Sequence, residues 1–578
     1  MLVAALILAA AAAAAPALHE PQEPLAAPRG LLKDSTLRYL EDARAHWGVP
    51  GFSVAVVAGP EYTGGGWREE LRGFGVANAA GTPVDEDTLF AIASNSKHTT
   101  ALCVGLLIER GVRLPSGEKL DWSTKIKDIL PEWRLQDTYA SEHADITDLL
   151  SMRTGQPSHD LAHVDEPAEA TVANLRHLKP SLEIRQAFQY NNAHYITLSL
   201  VVARLSGHEY TRFVADNIFG PLNMSAASYD HAAVRKSAHA SDGFTHAGVN
   251  KTRCRETSSG PAHMDVSCTG EVKNIGWWIR SKATSEAGAG GIILSAADAA
   301  RWLRELLSPR VLPQWLIEKT GTPAMVTPTG IADGIPGWSS SGYGLAQVIN
   351  HVRGHKFVWH TGGLPGQMSL VGRVPERGLG VAIFTNDDVF GTGLHMVALA
   401  RILDDLLGHE EVDYEPAMFD AMFPATAEWP APPRWPEPPS SWDVAGTYKA
   451  EGYGAAAFAP LDLLAEGRDS THRAVVTALR EVEGLNLASP VFLAPFNKVF
   501  ASHLALTHFD GELWNVTALL AFHPDNGEDV VAQNSGSGPA VVTPRGIGMF
   551  GMWSRSARVK QPVVEGVEDA AEAWFARQ

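Results

Sequence analysis

Residues 94–109, SNSKHTTALCVGLLIE, carry more structural information than any other stretch of this chain. The segment opens with Ser94-Asn95-Ser96-Lys97 and continues into a run that is apolar on nearly every side. A helix that is hydrophobic all round is a buried one, so these residues predict a central helix with a polar entrance. Serine and lysine three residues apart share a helix face, which brings the ammonium nitrogen within reach of the hydroxyl. A hydroxyl at a helix N-terminus also meets the positive end of the dipole, which stabilises a developing alkoxide. The same spacing recurs at Ser116-Gly117-Glu118-Lys119, in loop-like text with no apolar helix after it. Only Ser94 opens an element that can hold it rigidly. A simple helix cap is the alternative reading of Ser94.

The text before this helix alternates Val- and Phe-rich runs with glycine clusters: FSVAVVAG from Phe52, a Gly-rich turn, then ELRGFGVAN. Such runs predict an antiparallel pair. Helix-like sequence extends to about residue 230, and residues 231–285 lack a clear period and read as a long surface insertion. A further helix starts after Ser295, a residue suited to an N-cap. Three more strand-like runs follow: HKFVWHTGG, QMSLVGRV and GLGVAIFTND. Strands at both ends with helices between them predict an α/β sandwich closed by its two termini, in a domain over residues 35–423. Residues 424–440 hold seven prolines and read as a stiff linker. Beyond them, RAVVTALREV, HLALTHF, WNVTALLAF and GIGMFGMW are read as strands of a small all-β, barrel-like domain over 441–578.

Composition narrows the function. The 578 residues are 45% hydrophobic and 19% charged, enough apolar material for a large core. The net charge of −18, without a long Lys/Arg run, excludes nucleic acid as an expected partner. Residues 2–17, LVAALILAAAAAAAPA, end in an A-x-A-like site and are followed by polar, Pro-containing sequence. Residues 1–17 therefore read as a signal peptide, which implies an exported, extracellular protein without stable membrane insertion. Of the three cysteines, Cys103 belongs to the buried helix, and Cys254 and Cys268 lie close enough to form a disulfide. Asn223, Asn250 and Asn515 stand in glycosylation-type triplets.

Two further groups join Ser94 and Lys97. Tyr190-Asn191-Asn192 precedes an apolar helical run, and a tyrosine near a lysine can act as a proton acceptor. Asn192 can orient the lysine or a substrate amide. His360-Thr361-Gly362-Gly363 ends a strand-like run, where glycine lets a ligand approach the backbone. No G-x-S-x-G and no H-E-x-x-H occurs, so neither a nucleophile elbow nor that zinc motif has a candidate. His351, His355 and His360 lie close in sequence, but without the tight Cys/His spacing of a structural metal site. No metal or cofactor is expected. Trp277 and Trp278 read as core residues or as part of a cleft wall.

S-x-x-K, Y-x-N and H-T-G in this order resemble the serine β-lactamase and penicillin-binding-protein superfamily, over about residues 35–410. The resemblance implies an α/β fold with an antiparallel sheet flanked by helices plus an all-helical subdomain. The class C-related branch, with its D-aminopeptidases and esterases, is most similar. Leu149–Gly155, Ala289-Gly290-Gly291-Ile292 with Asp298, and Gly342-Tyr343-Gly344-Leu345 support it. The terminal β domain is similar to the lipocalin-like barrels attached to some members. The resemblance implies Ser94 as acylated nucleophile, Lys97 as its activator, and Tyr190 as general base and acid. It implies that Asn192, His360, Thr361 and Gly362 bind substrate, and that the backbone N–H groups of Ser94 and Gly363 form the oxyanion hole. β-Lactamases of this branch carry lysine where this chain has His360, which points away from β-lactams and toward small esters or peptide-like amides. Acyl transfer to an alcohol, or a non-catalytic binding or assembly role, is the alternative.

Overall fold

The computed structural model describes residues 30–279, 286–327, 337–423, 436–466, 470–482, 484–523, 529–553 and 562–578. The segment 1–17, expected to be a signal peptide, and most of the Pro-rich segment 424–440 lie outside them.

An eight-stranded antiparallel sheet organises the larger part of the chain. Across it run Arg68–Gly75, Gly51–Ala58, Leu379–Thr385, Gln367–Val374, His355–Leu364, Val348–Val352, Gly342–Tyr343 and Met325–Val326. The early strand Gly51–Ala58 pairs with the late strand Leu379–Thr385, in the register Phe52 to Thr385 and Ala58 to Leu379. The two ends of this unit thus close one sheet. Its central strands are buried along their whole length because both faces are covered. Helices Asp34–His46 and Gly391–Leu407 cover one face, and Ala296–Leu307 packs on the other. Ser295 caps that last helix by accepting from the Asp298 N–H at 3.2 Å.

The all-helical part centres on Ser96–Glu109, buried from Ser96 to Leu107, which packs on Asn192–Ser206. The segment 231–285, expected to lack regular structure, contains a two-stranded antiparallel pair, Gly243–Ala247 with Glu271–Gly276. A short helix, Lys251–Thr257, lies between these strands, and a disulfide joins Cys254 to Cys268. Cys103 is a free, buried thiol.

Eight consecutive strands from Gly446–Ala450 to Ala573–Arg577 form a closed barrel, the last pairing with the first through Tyr448 and Arg577. One expectation fails here: RAVVTALREV is helical, spanning Ser470–Ala478 and the turn Leu479–Glu481. Val475, Ala478, Leu479 and Val482 are its buried apolar positions, spaced three and four apart as on one helix face. Among the described residues, no helix is long and apolar enough to cross a membrane.

Candidate active site

Ser94 lies in a single 3₁₀ turn, Ala93–Asn95, that feeds directly into the helix starting at Ser96. Ala93 has φ +47°, a left-handed conformation that costs a residue with a Cβ on the order of 1 kcal/mol. The fold sustains it by pinning the turn from two sides. The Ser369 hydroxyl donates to the Ile92 carbonyl at 2.6 Å and accepts from Asn95 Nδ2 at 2.8 Å. From the other side, the Ile292 N–H donates to Ser96 Oγ at 3.0 Å.

The strand His355–Leu364 passes against this turn at Gly362. A Cβ there would fall 2.2 Å from the Ile92 carbonyl oxygen and 2.9 Å from the Ser94 nitrogen. No side chain fits, which gives the glycine of the H-T-G motif a packing role beside Ser94. Gly363, next along, is exposed at the edge of the site, and Thr361 is half-buried.

Lys97 is fully buried, and its Nζ donates to three acceptors: Ser94 Oγ at 2.9 Å, Asn192 Oδ1 at 2.7 Å and the Ala289 carbonyl at 2.7 Å. Burial pulls its pKa down to about 7, against the carboxylates of Glu286 and Asp160, which favour the cation. The Tyr190 ring centroid lies 5.0 Å from Nζ and that of Tyr195 5.6 Å. Tyr190 is placed by the start of the helix Asn192–Ser206 and by Asn191, whose amide donates to the Gln156 and Pro157 carbonyls at 3.2 and 2.8 Å.

His360 is only 5% exposed, its ring 6.2 Å from that of Tyr190. Its Nδ1 donates to the Thr361 carbonyl, so Nε2 accepts from the Tyr343 hydroxyl at 3.2 Å. This is the neutral imidazole. Burial first, and then the nearby Lys97 cation, push its pKa down to about 4. Ser94, Lys97, Asn192, Tyr190 and His360 are therefore brought together from three separate stretches of the chain.

The other candidates lie apart from this group. Ser116 and Lys119 are exposed in a turn. Asn223 is exposed, Asn250 caps the helix Lys251–Thr257 through Arg253, and Asn515 lies within a barrel strand. No cluster of three or more metal-ligating side chains occurs among the described residues. Trp277 is a core residue whose indole N–H donates to His231 Nδ1 at 2.8 Å, whereas the Trp278 ring meets Phe500 of the barrel at 5.7 Å.

Three polar residues behind Lys97 carry no sequence motif. Asp160 Oδ1 accepts from Asn192 Nδ2 at 3.0 Å, and Glu286 Oε1 pairs with His163 Nδ1 at 3.0 Å. Glu286 lies 123 positions from His163, so no local spacing connects them.

A Beta-lactamase family model matches residues 38–403. Unguisins hydrolase ungD' of Aspergillus campestris (strain IBT 28561) is 28% identical over 350 residues, 59% of this chain. The match spans 59% of that relative's own length. The octameric penicillin-binding protein homologue from Pyrococcus abyssi has a TM-score of 0.52 at 18% identity, over 91% of this chain and 99% of that one. D-amino acid amidase from Ochrobactrum anthropi SV3 has a TM-score of 0.50 at 20% identity, over 65% and 98%. At such identities these two structures share the fold alone.

Proposed function

This chain belongs to the β-lactamase family, and from that premise we propose that it is a serine hydrolase forming an acyl-enzyme on Ser94. The observation that carries the reading is the 2.9 Å hydrogen bond from Lys97 Nζ to Ser94 Oγ, with the lysine pKa near 7. Burial lowers the lysine pKa enough for it to reach the neutral amine form, able to take the serine proton as Oγ attacks a carbonyl. Asn192 and the Ala289 carbonyl keep Nζ aimed at the serine. Tyr190, its ring centroid 5.0 Å from the same nitrogen, is the proposed group that relays this proton from Lys97 to the leaving group. The backbone N–H groups of Ser94 and Gly363 serve the developing oxyanion, where one lost donor costs on the order of 100- to 1,000-fold in rate.

Small esters and peptide-like amides without a carboxylate beside the cleaved bond are the proposed substrates. A neutral His360 supplies no cation for such a carboxylate. The resemblance to unguisins hydrolase supports hydrolysis as the outcome. The apolar leader and the Cys254–Cys268 disulfide support an exported protein. The test is covalent labelling by a fluorophosphonate, read by intact mass. The wild type gains one adduct and Ser94→Ala gains none; equal labelling of the two overturns the reading.

A further inference from the structure

We infer that the buried His163–Glu286 pair is a positioning device for the chemistry at Ser94, holding the Ala289 carbonyl against Lys97 and balancing charge there, with the C-terminal barrel holding His163 in place. The inference rests on the serine-hydrolase reading and adds residues to it that no motif contains.

The connections form one continuous path. Glu286 heads the turn Ala287–Gly290, its carbonyl accepting from the Ala289 and Gly290 N–H groups at 2.9 and 2.7 Å. The next carbonyl in that path, on Ala289, is the one that receives Lys97 Nζ. The Glu286 side chain is anchored by His163 Nδ1 at 3.0 Å, with side-chain exposures of 13% and 4%. His163 is gripped in turn by the barrel: its carbonyl accepts from the Val499 N–H at 3.0 Å, and its ring meets the Phe500 ring at 6.0 Å. The Trp278 ring, 5.7 Å from Phe500, backs this hairpin. The barrel is therefore linked to Lys97 through three residues, His163, Glu286 and Ala289.

Charge follows the same path. Lys97 is faced by the carboxylates of Glu286 and Asp160, the neutral His360 and the phenol rings of Tyr190 and Tyr195. His163 is faced by Glu286, Asp160, Lys97 and His159. Burial alone would lower the His163 pKa, but the Glu286 carboxylate, by charge and hydrogen bond, raises it above the ordinary value. A proton held on His163 by this pairing offsets one of the two anions that favour the Lys97 cation.

His163→Asn keeps an amide where Nδ1 donates but removes the cation. Glu286 then acts on Lys97 uncompensated, so Lys97 deprotonates at higher pH. The experiment is the pH dependence of the rate of Ser94 labelling by a fluorophosphonate on the full chain. The acidic limb should move up by about one pH unit in His163→Asn. In Glu286→Gln it should move below the wild-type position, because an anion favouring the Lys97 cation is gone, and in the double variant it should return to about the wild-type position. A pair with a purely structural role would slow labelling without moving the limb. An unmoved limb in His163→Asn, or an upward shift that persists in the double variant, overturns the inference. Should His163→Asn not fold, Glu286→Gln alone decides: an unmoved limb or an upward shift there overturns the inference. A wild type that takes no label overturns the parent reading instead.

Discussion

Lys97 Nζ lies 2.9 Å from Ser94 Oγ at a point where the lysine is wholly buried and fully hydrogen-bonded. Three acceptors saturate a three-donor ammonium, so the nitrogen has one orientation and no competing partner. The same burial that orients it weakens its hold on a proton. A lysine titrating at about 10.5 when unfolded and about 7 when folded lowers stability at every pH below the unfolded value.

Lys97→Met should therefore separate activity from stability. Labelling of Ser94 should slow about 100- to 10,000-fold, the range for losing a positioned proton acceptor. Stability at pH 7 should hold or rise, since the buried amine is replaced by an apolar chain of similar length. Fluorophosphonate kinetics with urea unfolding of the same samples checks both halves. A variant that is both slower and markedly less stable would show Lys97 to be chiefly a structural group.

Gly362→Ala tests the seat of Ser94. The added methyl would sit 2.2 Å from the Ile92 carbonyl oxygen, 2.5 Å from Ser369 Oγ and 2.9 Å from the Ser94 nitrogen. Two of those contacts are backbone, which can yield only by moving the turn. Overpacking of this kind costs about 1–3 kcal/mol, and a displacement near 1 Å at a reacting atom costs about 100-fold in rate. The expected outcome is a folded protein with labelling slowed about 100-fold or more. Unchanged labelling would show that the turn adjusts without moving Ser94.

Much of this site was legible because its motifs are local. Ser94 and Lys97 meet through helical spacing, and Asn192 is fixed at a helix start two residues after Tyr190. The sheet was legible from Val- and Phe-rich runs at both ends of the domain, which pair as Gly51–Ala58 with Leu379–Thr385. The residues behind the lysine were not. Asp160, His163 and Glu286 come from loops and turns whose meeting depends on the whole fold. The helix at Ser470–Ala478 was misread because apolar residues in RAVVTALREV satisfy alternation in part, while burial follows the helical period. Burial of His360 had no local signal either, as it arises from Tyr190 and Tyr343 packing around the ring.

His360→Lys tests the proposed preference for substrates lacking a carboxylate. Histidine here is neutral above about pH 4, and a lysine would add a cation near the end of the motif strand. Labelling by a penicillin, which carries a carboxylate, should accelerate relative to a neutral fluorophosphonate, with the ratio rising at least severalfold. Burial beside Lys97 lowers the pKa of the new lysine, so the advantage should fade as pH rises through that value. Equal responses of the two reagents at every pH would place His360 away from the anion-binding position.

Acid should unfold this protein before it titrates most of its carboxylates. Burial holds His159, His231 and His360 down to about 4 and His194 and His395 down to about 3, and pushes His98 well below its ordinary value. In the unfolded chain each takes up a proton near pH 6.5, and in the folded chain each stays neutral. Their stabilisation is therefore complete above about pH 6.5 and is lost as pH falls toward the folded values. Every group for which only the unfolded state binds a proton contributes a slope of about 1.4 kcal/mol per pH unit. His163 and His246 act in the opposite sense, because their carboxylate partners outweigh burial and raise their pKa. Their contribution is complete below about pH 6.5 and declines as pH rises through the folded values, so it cannot offset the acid loss. Urea midpoints should accordingly fall steeply between about pH 6.5 and 4.5. Replacing His395 by an apolar residue of similar volume should flatten that fall by about one proton's worth of slope. A midpoint independent of pH over this interval would show that these histidines are protonated in the native state.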